Sequence, residues 1–358
     1  MKNNRITWLD SSRGFAILLL IAVHYIGALE SRNIISSDQL LLIQSVLRVA
    51  TPYFIIVFGF TFFITQRKRI NSFSDAFLSV YRMKNKLGYI LIGRQIIVII
   101  NSQRYDAISE NIFEILTFQQ FSPTGEILTF YLLALILAPF SVAILNILPK
   151  KKFSIIFLII YSASYLIGSG YSDSVDNSLF RLFFYDIYPF FPMFCLAMFG
   201  MLLGKLYINT SSNKTELMLF GCLAIFFILS GLIWLSIISE QPLYDLAKGR
   251  YKGPPHPIYV LIYTGLTIAI NILLVAVLGI VGNKRLAEKP LSIIGRNTLL
   301  AYVLHYCLFL GTPISLAVFG KRESLYEAFG FIFVLLTIFV IIFYRDSMKA
   351  KNYARKME

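Results

Sequence analysis

Three histidines occur in the 358 residues, and two of them, His24 and His305, stand inside long apolar runs. An imidazole near its ordinary pKa is the side chain best suited to take a proton from a hydroxyl or amine at neutral pH. His24 follows Asp10 and Arg13 in the run WLDSSRGFAILLLIAVHYIGAL. On a helix Asp10 and Arg13 share a face, and His24 lies about 16 Å beyond Arg13 along the axis. His305 stands nine residues, about 14 Å, beyond Arg296 and Asn297 in LSIIGRNTLLAYVLHYCLFLG. Arg48, in LLLIQSVLRVATPYFIIVFGF, lies about 12 Å into its own run when counted from Leu40, and Pro52 is expected to kink that helix just past it. His24, Arg48 and His305 thus fall at comparable depth. They form the candidate catalytic group, with His24 as general base and Arg48 or His305 stabilising a developing oxyanion.

Arg13, Arg94 (in LGYILIGRQIIVII), Arg296 and Asn297 fall toward the opposite side, where guanidinium forks suit the phosphates of a bound donor. Each assignment has a plainer alternative. Asp10 and Arg13 can be a structural ion pair closing the helix start. Either histidine can be a packing residue bonded to a facing carbonyl or hydroxyl. Arg48 can snorkel outward, and the basic residues at span ends can simply follow membrane topology.

The elements that must position these groups follow from composition. Hydrophobic residues make up 57% and charged residues 15%, against about a quarter charged in a typical soluble domain. A bilayer crossing needs about 20 mainly apolar residues. Ten spans can be placed, at about 8–29, 40–65, 87–101, 126–148, 153–170, 187–207, 217–239, 257–281, 291–312 and 325–344, of which the third is shortest. The stretch 108–121 carries apolar residues at helical spacing and is expected to lie along the outer surface as an interfacial helix. The fold class is an all-α polytopic membrane bundle in a single domain, 1–358, with a basic tail from about 345.

With the amino terminus inside, 21 Lys and Arg fall on the inner side, including Arg67 to Arg69, Lys150 to Lys152 and Lys284 to Lys289. Eight fall outside: Arg32, Arg104, Arg181, Lys248, Arg250, Lys252, Lys321 and Arg322. That asymmetry places both termini in the cytoplasm and accounts for the net charge of +14 without nucleic-acid binding. The first run reads as a retained helix, not a cleaved signal peptide. Cys195, Cys222 and Cys307 form no CxxC pair, so neither a disulfide framework nor a metal site is expected. No phosphate-binding glycine loop appears.

Two further segments are less tied to chemistry. YPFFPMFCLAMFGMLLGK sets Pro189 and Pro192 ahead of Gly200 and Gly204, a spacing that allows close helix packing. YKGPPHPIY, with Lys252 and His256, reads as a rigid outer turn at a span entrance or as a substrate contact.

In this order these segments resemble the transmembrane acyltransferase superfamily, which groups acyltransferase-3 proteins, glucan succinyltransferases and heparan-α-glucosaminide N-acetyltransferase-like proteins. LDSSRGFAILLLIAVH is similar to its first-helix pattern, Leu-Asp-x-x-Arg-Gly followed by an apolar run and a histidine. TPYFIIVFGFTFF is similar to its second-helix pattern, YPFFPMFCLAMFGMLLGK to a YPxxPW helix, KGPPHPIYVLIYTG to a Lys-x-Pro-Pro-Ser segment, and LSIIGRNTLLAYVLH to a Gly-Arg-x-Ser-Leu helix ending in histidine. Phe58, His256 and Thr298 each stand where serine is usual. Together the five blocks span residues 5 to 312.

The resemblance implies transfer of an acetyl or succinyl group from cytoplasmic acyl-CoA to an extracytoplasmic carbohydrate or glycolipid, without a metal, in a bacterial cytoplasmic membrane. It makes His24 the catalytic histidine, and it matches Asp10, Arg13, Arg296 and His305 to motif positions. The residues alone also fit a transporter or flippase of a small anion, sugar or lipid-linked glycan, although no inverted repeat of the kind many transporters carry is visible. A non-catalytic relative that binds a glycolipid or partner is a third reading. The sequence leaves room for a homo-oligomer.

Overall fold

The structure, a computed structural model, describes residues 7–30, 37–102, 109–120, 126–170, 178–185, 188–209, 213–280, 284–308 and 323–355. The outer residues Arg32, Arg104, Lys321 and Arg322, and the end of the ninth sequence-placed span beyond 308, lie outside them. The described residues are helical: α1 (Thr7–Glu30), α2 (Ser37–Leu47), α3 (Ala50–Gln66), α4 (Phe73–Arg82), α5 (Lys84–Ser102), α6 (Ile112–Leu116), α7 (Glu126–Ile147), α8 (Lys150–Ser169), α9 (Phe190–Asn209), α10 (Asn213–Ile238), α11 (Pro242–Lys248), α12 (Pro257–Ile280), α13 (Lys284–Arg296), α14 (Thr298–Cys307) and α15 (Glu323–Arg355). A short turn, Arg181–Tyr185, is a π-helix.

Eight helices among the described residues are long and apolar enough to cross a membrane. The remaining two sequence-placed spans are less regular. The third is α5, whose Lys84, Lys86, Arg94, Gln95 and Asn101 dilute its hydropathy. The ninth is broken into α13 and α14 at Asn297. There the Asn297 side chain donates to the Ile293 carbonyl at 2.9 Å, competing with the backbone ladder as mid-helix asparagines do.

Span two is also interrupted, though not where proline alone suggests. The turn falls at Arg48 and Val49, ahead of Pro52. Pro52 has no N–H for the Arg48 carbonyl one turn back, so the ladder loosens there, and Val49 bonds to Val46 three residues earlier at 3.1 Å.

Two seams hold the bundle together. Along one, α1 crosses α13 so closely that a Cβ on Gly14 would strike the Leu291 carbonyl, and one on Gly295 the Asp10 carbonyl. Along the other, Gly59 of α3 lies against the Ala197 carbonyl and Gly200 of α9 against that of Ile56. Glycine permits this backbone contact, a common device for packing helices in lipid. The core between the seams is apolar, with Ile17, Ile55, Ile97, Phe130 and Phe190 fully buried. On the outside, α10 exposes Met218, Phe226, Ile233 and Ile237, among others. A broad apolar exterior of this kind marks a surface solvated by lipid. The chain is a multi-pass integral membrane protein.

Candidate functional site

Hereafter the near end is the end of the bundle where α1 begins, and the far end is where it finishes. At the near end Trp8 meets the rings of Phe60 and Tyr207 at 5.7 and 5.8 Å. Toward the far end α1 carries His24 and α14 carries His305. The two imidazoles meet there: His24 Nδ1 lies 3.0 Å from His305 Nε2, and the rings stack with centroids 5.2 Å apart. Depth counted along two separate helices thus brought together residues 281 positions apart in sequence.

His305 is buried, whereas His24 is half-buried, so the more accessible ring is backed by the less accessible one. Tyr302 and Tyr306 flank the pair at 5.0 and 4.3 Å from the His305 ring, and their hydroxyls lie 3.5 Å apart. In such a pair one ring donates and the other accepts, so each fixes its neighbour's tautomer. With His24 Nδ1–H donating to His305, His24 Nε2 is left with its lone pair to receive a proton.

Near the other end of α1 sits the second polar group. Arg13 pairs with Asp10 at 3.7 Å and donates to the Thr298 hydroxyl at 3.2 Å, tying α1 to the start of α14. Arg296 pairs with Asp346 of α15 at 3.0 Å, and Asn297 donates to the same carboxylate at 3.4 Å. Arg13 and Arg296 keep 31% and 36% of their side chains exposed.

Two arginines that the sequence joined to these groups lie elsewhere. Arg94 is fully buried and has no place beside Arg13 and Arg296. It ion-pairs with Glu126 at 3.1 Å, donates to the Thr129 hydroxyl at 3.3 Å, Gln95 Oε1 at 3.0 Å and the Ile115 carbonyl at 2.7 Å, and lies 4.2 Å under the Phe118 ring. Its donors are spent on the fold. Glu126 opens α7 at the far end, so Arg94 belongs to the far half of the bundle, deeper in its span than the sequence count put it.

The same contacts tie down the segment expected to be an interfacial helix. Among the described residues it forms the short α6, whose last carbonyls accept from Arg94 and Gln95. Phe118 takes φ 62°, a left-handed conformation uncommon for a bulky residue, where its ring covers Arg94.

Arg48 is at the far end as expected but does not join the histidines. Its Nε donates to the Ala247 carbonyl at 2.9 Å, at the last turn of α11, where a cation complements the helix dipole.

A third cluster escapes a search for ionisable groups. Ser12 Oγ lies 2.9 Å from Tyr53 Oη and 2.5 Å from Asn271 Oδ1, and the Tyr53 hydroxyl donates to that same oxygen at 3.1 Å. One residue comes from each of α1, α3 and α12. Asn271 is the only asparagine in its span, and that was the available signal. Glu126, an acid opening an apolar helix, was the corresponding signal for Arg94. Among the described residues no group of three His, Cys, Asp or Glu could hold a metal ion.

Neither the curated proteins nor the solved structures give a match to this chain. The acyltransferase-3 family, described as an acyltransferase domain, matches residues 6–345. That range takes in the histidine pair, the near-end arginines, the asparagine-linked cluster and both glycine seams, and the chain belongs to the acyltransferase-3 family of membrane acyltransferases.

Proposed function

We propose that the protein moves a short acyl group, acetyl or succinyl, from acyl-CoA at the near end to a hydroxyl or amine of a carbohydrate or glycolipid at the far end, with the near end cytoplasmic. The observation that carries this reading is the His24–His305 contact at 3.0 Å, on a helix whose other end bears Arg13. A base pole and a cation pole about 16 Å apart on one helix suit a long donor, phosphates at one end and thioester at the other. Arg13 and Arg296 meet the donor phosphates, with Asp10, Asn297 and Asp346 holding the two guanidinium groups in place.

In the transfer, His24 Nε2 takes the proton of the acceptor hydroxyl as its oxygen attacks the thioester carbonyl carbon. His305, bonded to the opposite nitrogen, supports the imidazolium that forms. The tetrahedral oxyanion collapses, the C–S bond breaks, and the proton passes from His24 to the departing thiolate. Ester and free coenzyme A are the products. The donor is a substrate, and no resident cofactor or metal takes part.

Labelled acetyl-CoA and succinyl-CoA supplied to membranes containing wild type or His24→Ala test this. Label is expected in envelope glycans or lipids with the wild type alone. Equal labelling by His24→Ala would remove the proposed base.

A further inference from the structure

The far-end loop between α10 and α12 holds three of the eight Lys and Arg that fall on the outer side. Lys248, Arg250 and Lys252 stand within five residues on the side otherwise poor in Lys and Arg, where such charges are disfavoured. Two of them find partners within the same loop: Arg250 pairs with Asp245 at 3.2 Å, and Lys248 lies over the Tyr244 ring at 5.7 Å. Lys252 instead reaches out of its loop. Its ammonium lies 4.3 Å from the centroid of the Tyr188 ring, and among the described residues it has no carboxylate partner.

The same turn holds a second unneutralised cation. Lys252 N–H donates to the Gly249 carbonyl at 3.0 Å, and Gly249, with φ 70°, lies directly against the Arg48 guanidinium, where an added Cβ would come within 3.3 Å of Cζ. Arg48 bonds to one neutral carbonyl and, among the described residues, to no acid. Beneath them Tyr259 is 1% exposed, and its hydroxyl has no hydrogen-bond partner although it lies within electrostatic reach of both Arg48 and Tyr188.

A buried hydroxyl left unbonded costs about 1–3 kcal/mol, and the two half-buried cations beside it have no acidic partner among the described residues. A fold that keeps all three at one turn leaves a place for a group that supplies negative charge and accepts hydrogen bonds. The sequence blocks YPFFP and KGPPHP, which the transfer chemistry did not use, are the two that meet here through Tyr188 and Lys252.

We infer that Arg48, Lys252, Tyr188 and Tyr259 form a recognition site for a carboxylate or phosphate carried by the acceptor sugar. This rests on the acyl-transfer reading for the word acceptor, but the site itself is tested without turnover. The tyrosine face suits a sugar ring and the two cations suit its acidic substituent, at the opposite end of the bundle from the arginines assigned to the donor.

The experiment measures thermal stabilisation of the full-length protein in detergent by sodium glucuronate, glucose 1-phosphate, glucose and succinate. Glucuronate or glucose 1-phosphate is expected to stabilise the wild type while glucose does not. Lys252→Met is expected to weaken that binding about tenfold or more, the loss of one charge-assisted contact, and Lys252→Arg to retain most of it, which separates lost charge from lost folding. Stabilisation by glucose equal to that by the acids, undiminished binding in Lys252→Met, or no response to either acid would overturn the proposal. Succinate acting where the sugar acids do not would assign the anion to the transferred acyl group and overturn the acceptor site. If the sugar acids bind as expected and wild type still transfers no label from acyl-CoA, the anion site stands and the acyl-transfer reading falls.

Discussion

The α1–α13 and α3–α9 seams are closed by the same device and carry different cargo. In each, a pair of glycines lets two backbones touch, at Gly14 and Gly295 in one and at Gly59 and Gly200 in the other. Around the second seam the buried residues are Ile55, Ile56, Phe62, Met193, Ala197 and Met201. Around the first they include Asp10, Ser11, Ser12 and Asn297, and His24 follows further along α1. The glycines in both motif sets therefore report helix approach, while the polar residues of the first set report chemistry. A motif that mixes the two does not by itself say which residue does what.

The largest effect that separates the seams is catalytic. His24→Ala is expected to lower acyl transfer by about 10²–10⁴-fold, the usual contribution of a general base, with the melting temperature within a few degrees of wild type. Met193→Ala in the other seam is expected to do the reverse, destabilising by about 2–5 kcal/mol while each folded molecule keeps its rate. Transfer rate per folded protein and thermal unfolding, measured together, check both. A His24→Ala protein that failed to fold would erase the distinction.

The glycines should behave alike in the two seams. Gly14→Val and Gly59→Val each press a branched side chain into a facing carbonyl and are expected to cost at least about 3 kcal/mol, the upper range for overpacking. Detergent-extracted yield and thermal unfolding would show it. If one seam accepted valine without loss, the shared packing role would fail for that seam.

How much of this is legible in the sequence depends on which coordinate of a helix the residue count determines. Axial depth follows from a rise of 1.5 Å per residue, and that count alone puts His24 and His305 at one level. Azimuth and loop contacts do not follow from it. Arg48 falls at the right end by the same count, but its partner is a carbonyl of α11, a helix hidden in what the sequence shows as a loop. Arg94 falls at the wrong end because the third span is short and its boundaries are soft. Its true partners, Glu126 and the Ile115 carbonyl, lie in segments that hydropathy assigns to a span edge and a surface helix.

The break at Asn297 is hidden for another reason. The apolar pattern runs on through it, and only the side-chain bond to Ile293 reveals the competition. Ser12, Tyr53 and Asn271 are uncharged, so a search confined to ionisable groups misses them.

That cluster gives the next prediction. Asn271 Oδ1 accepts from both Ser12 and Tyr53, so Asn271→Leu leaves the two hydroxyls only each other to bond and strands one O–H donor, whereas Tyr53→Phe removes a donor and leaves the Ser12–Asn271 bond. Asn271→Leu is expected to cost about 1–3 kcal/mol, the penalty for stranded buried polar groups, and Tyr53→Phe about 1 kcal/mol. Thermal unfolding of the two variants side by side would expose the difference. A larger loss from Tyr53→Phe would mean that the ring hydroxyl, not the asparagine, is the hub.

The smallest effect lies outside both seams, in the far-end loop, and it depends on pH. Burial pushes the Asp245 carboxyl up, but hydrogen bonds from Ser239 and Arg250, the Arg250 charge and the Tyr251 hydroxyl outweigh it, and the group rests below the ordinary carboxylate range. Its stabilisation is therefore complete above the unfolded value of about 3.9 and is lost as pH falls through the lower folded value. His256 acts earlier. Burial among Tyr165, Trp234 and Tyr251 holds it below the ordinary histidine range, and its Nδ1 accepts the Ile258 N–H at 3.2 Å. The neutral ring is the folded form, so stability falls as pH drops from about 6.5 toward the depressed folded value. Melting curves across pH 7 to 3 should thus show two losses, the first absent from His256→Gln and the second from Asp245→Asn, each no more than about 2 °C for a chain of this size. Because neither group touches the histidine pair, His256→Gln and Asp245→Asn are both expected to transfer at the wild-type rate at pH 7. A pH 7 transfer rate that fell in Asp245→Asn would show that the loop, and with it the Arg48 and Lys252 turn, governs access to His24.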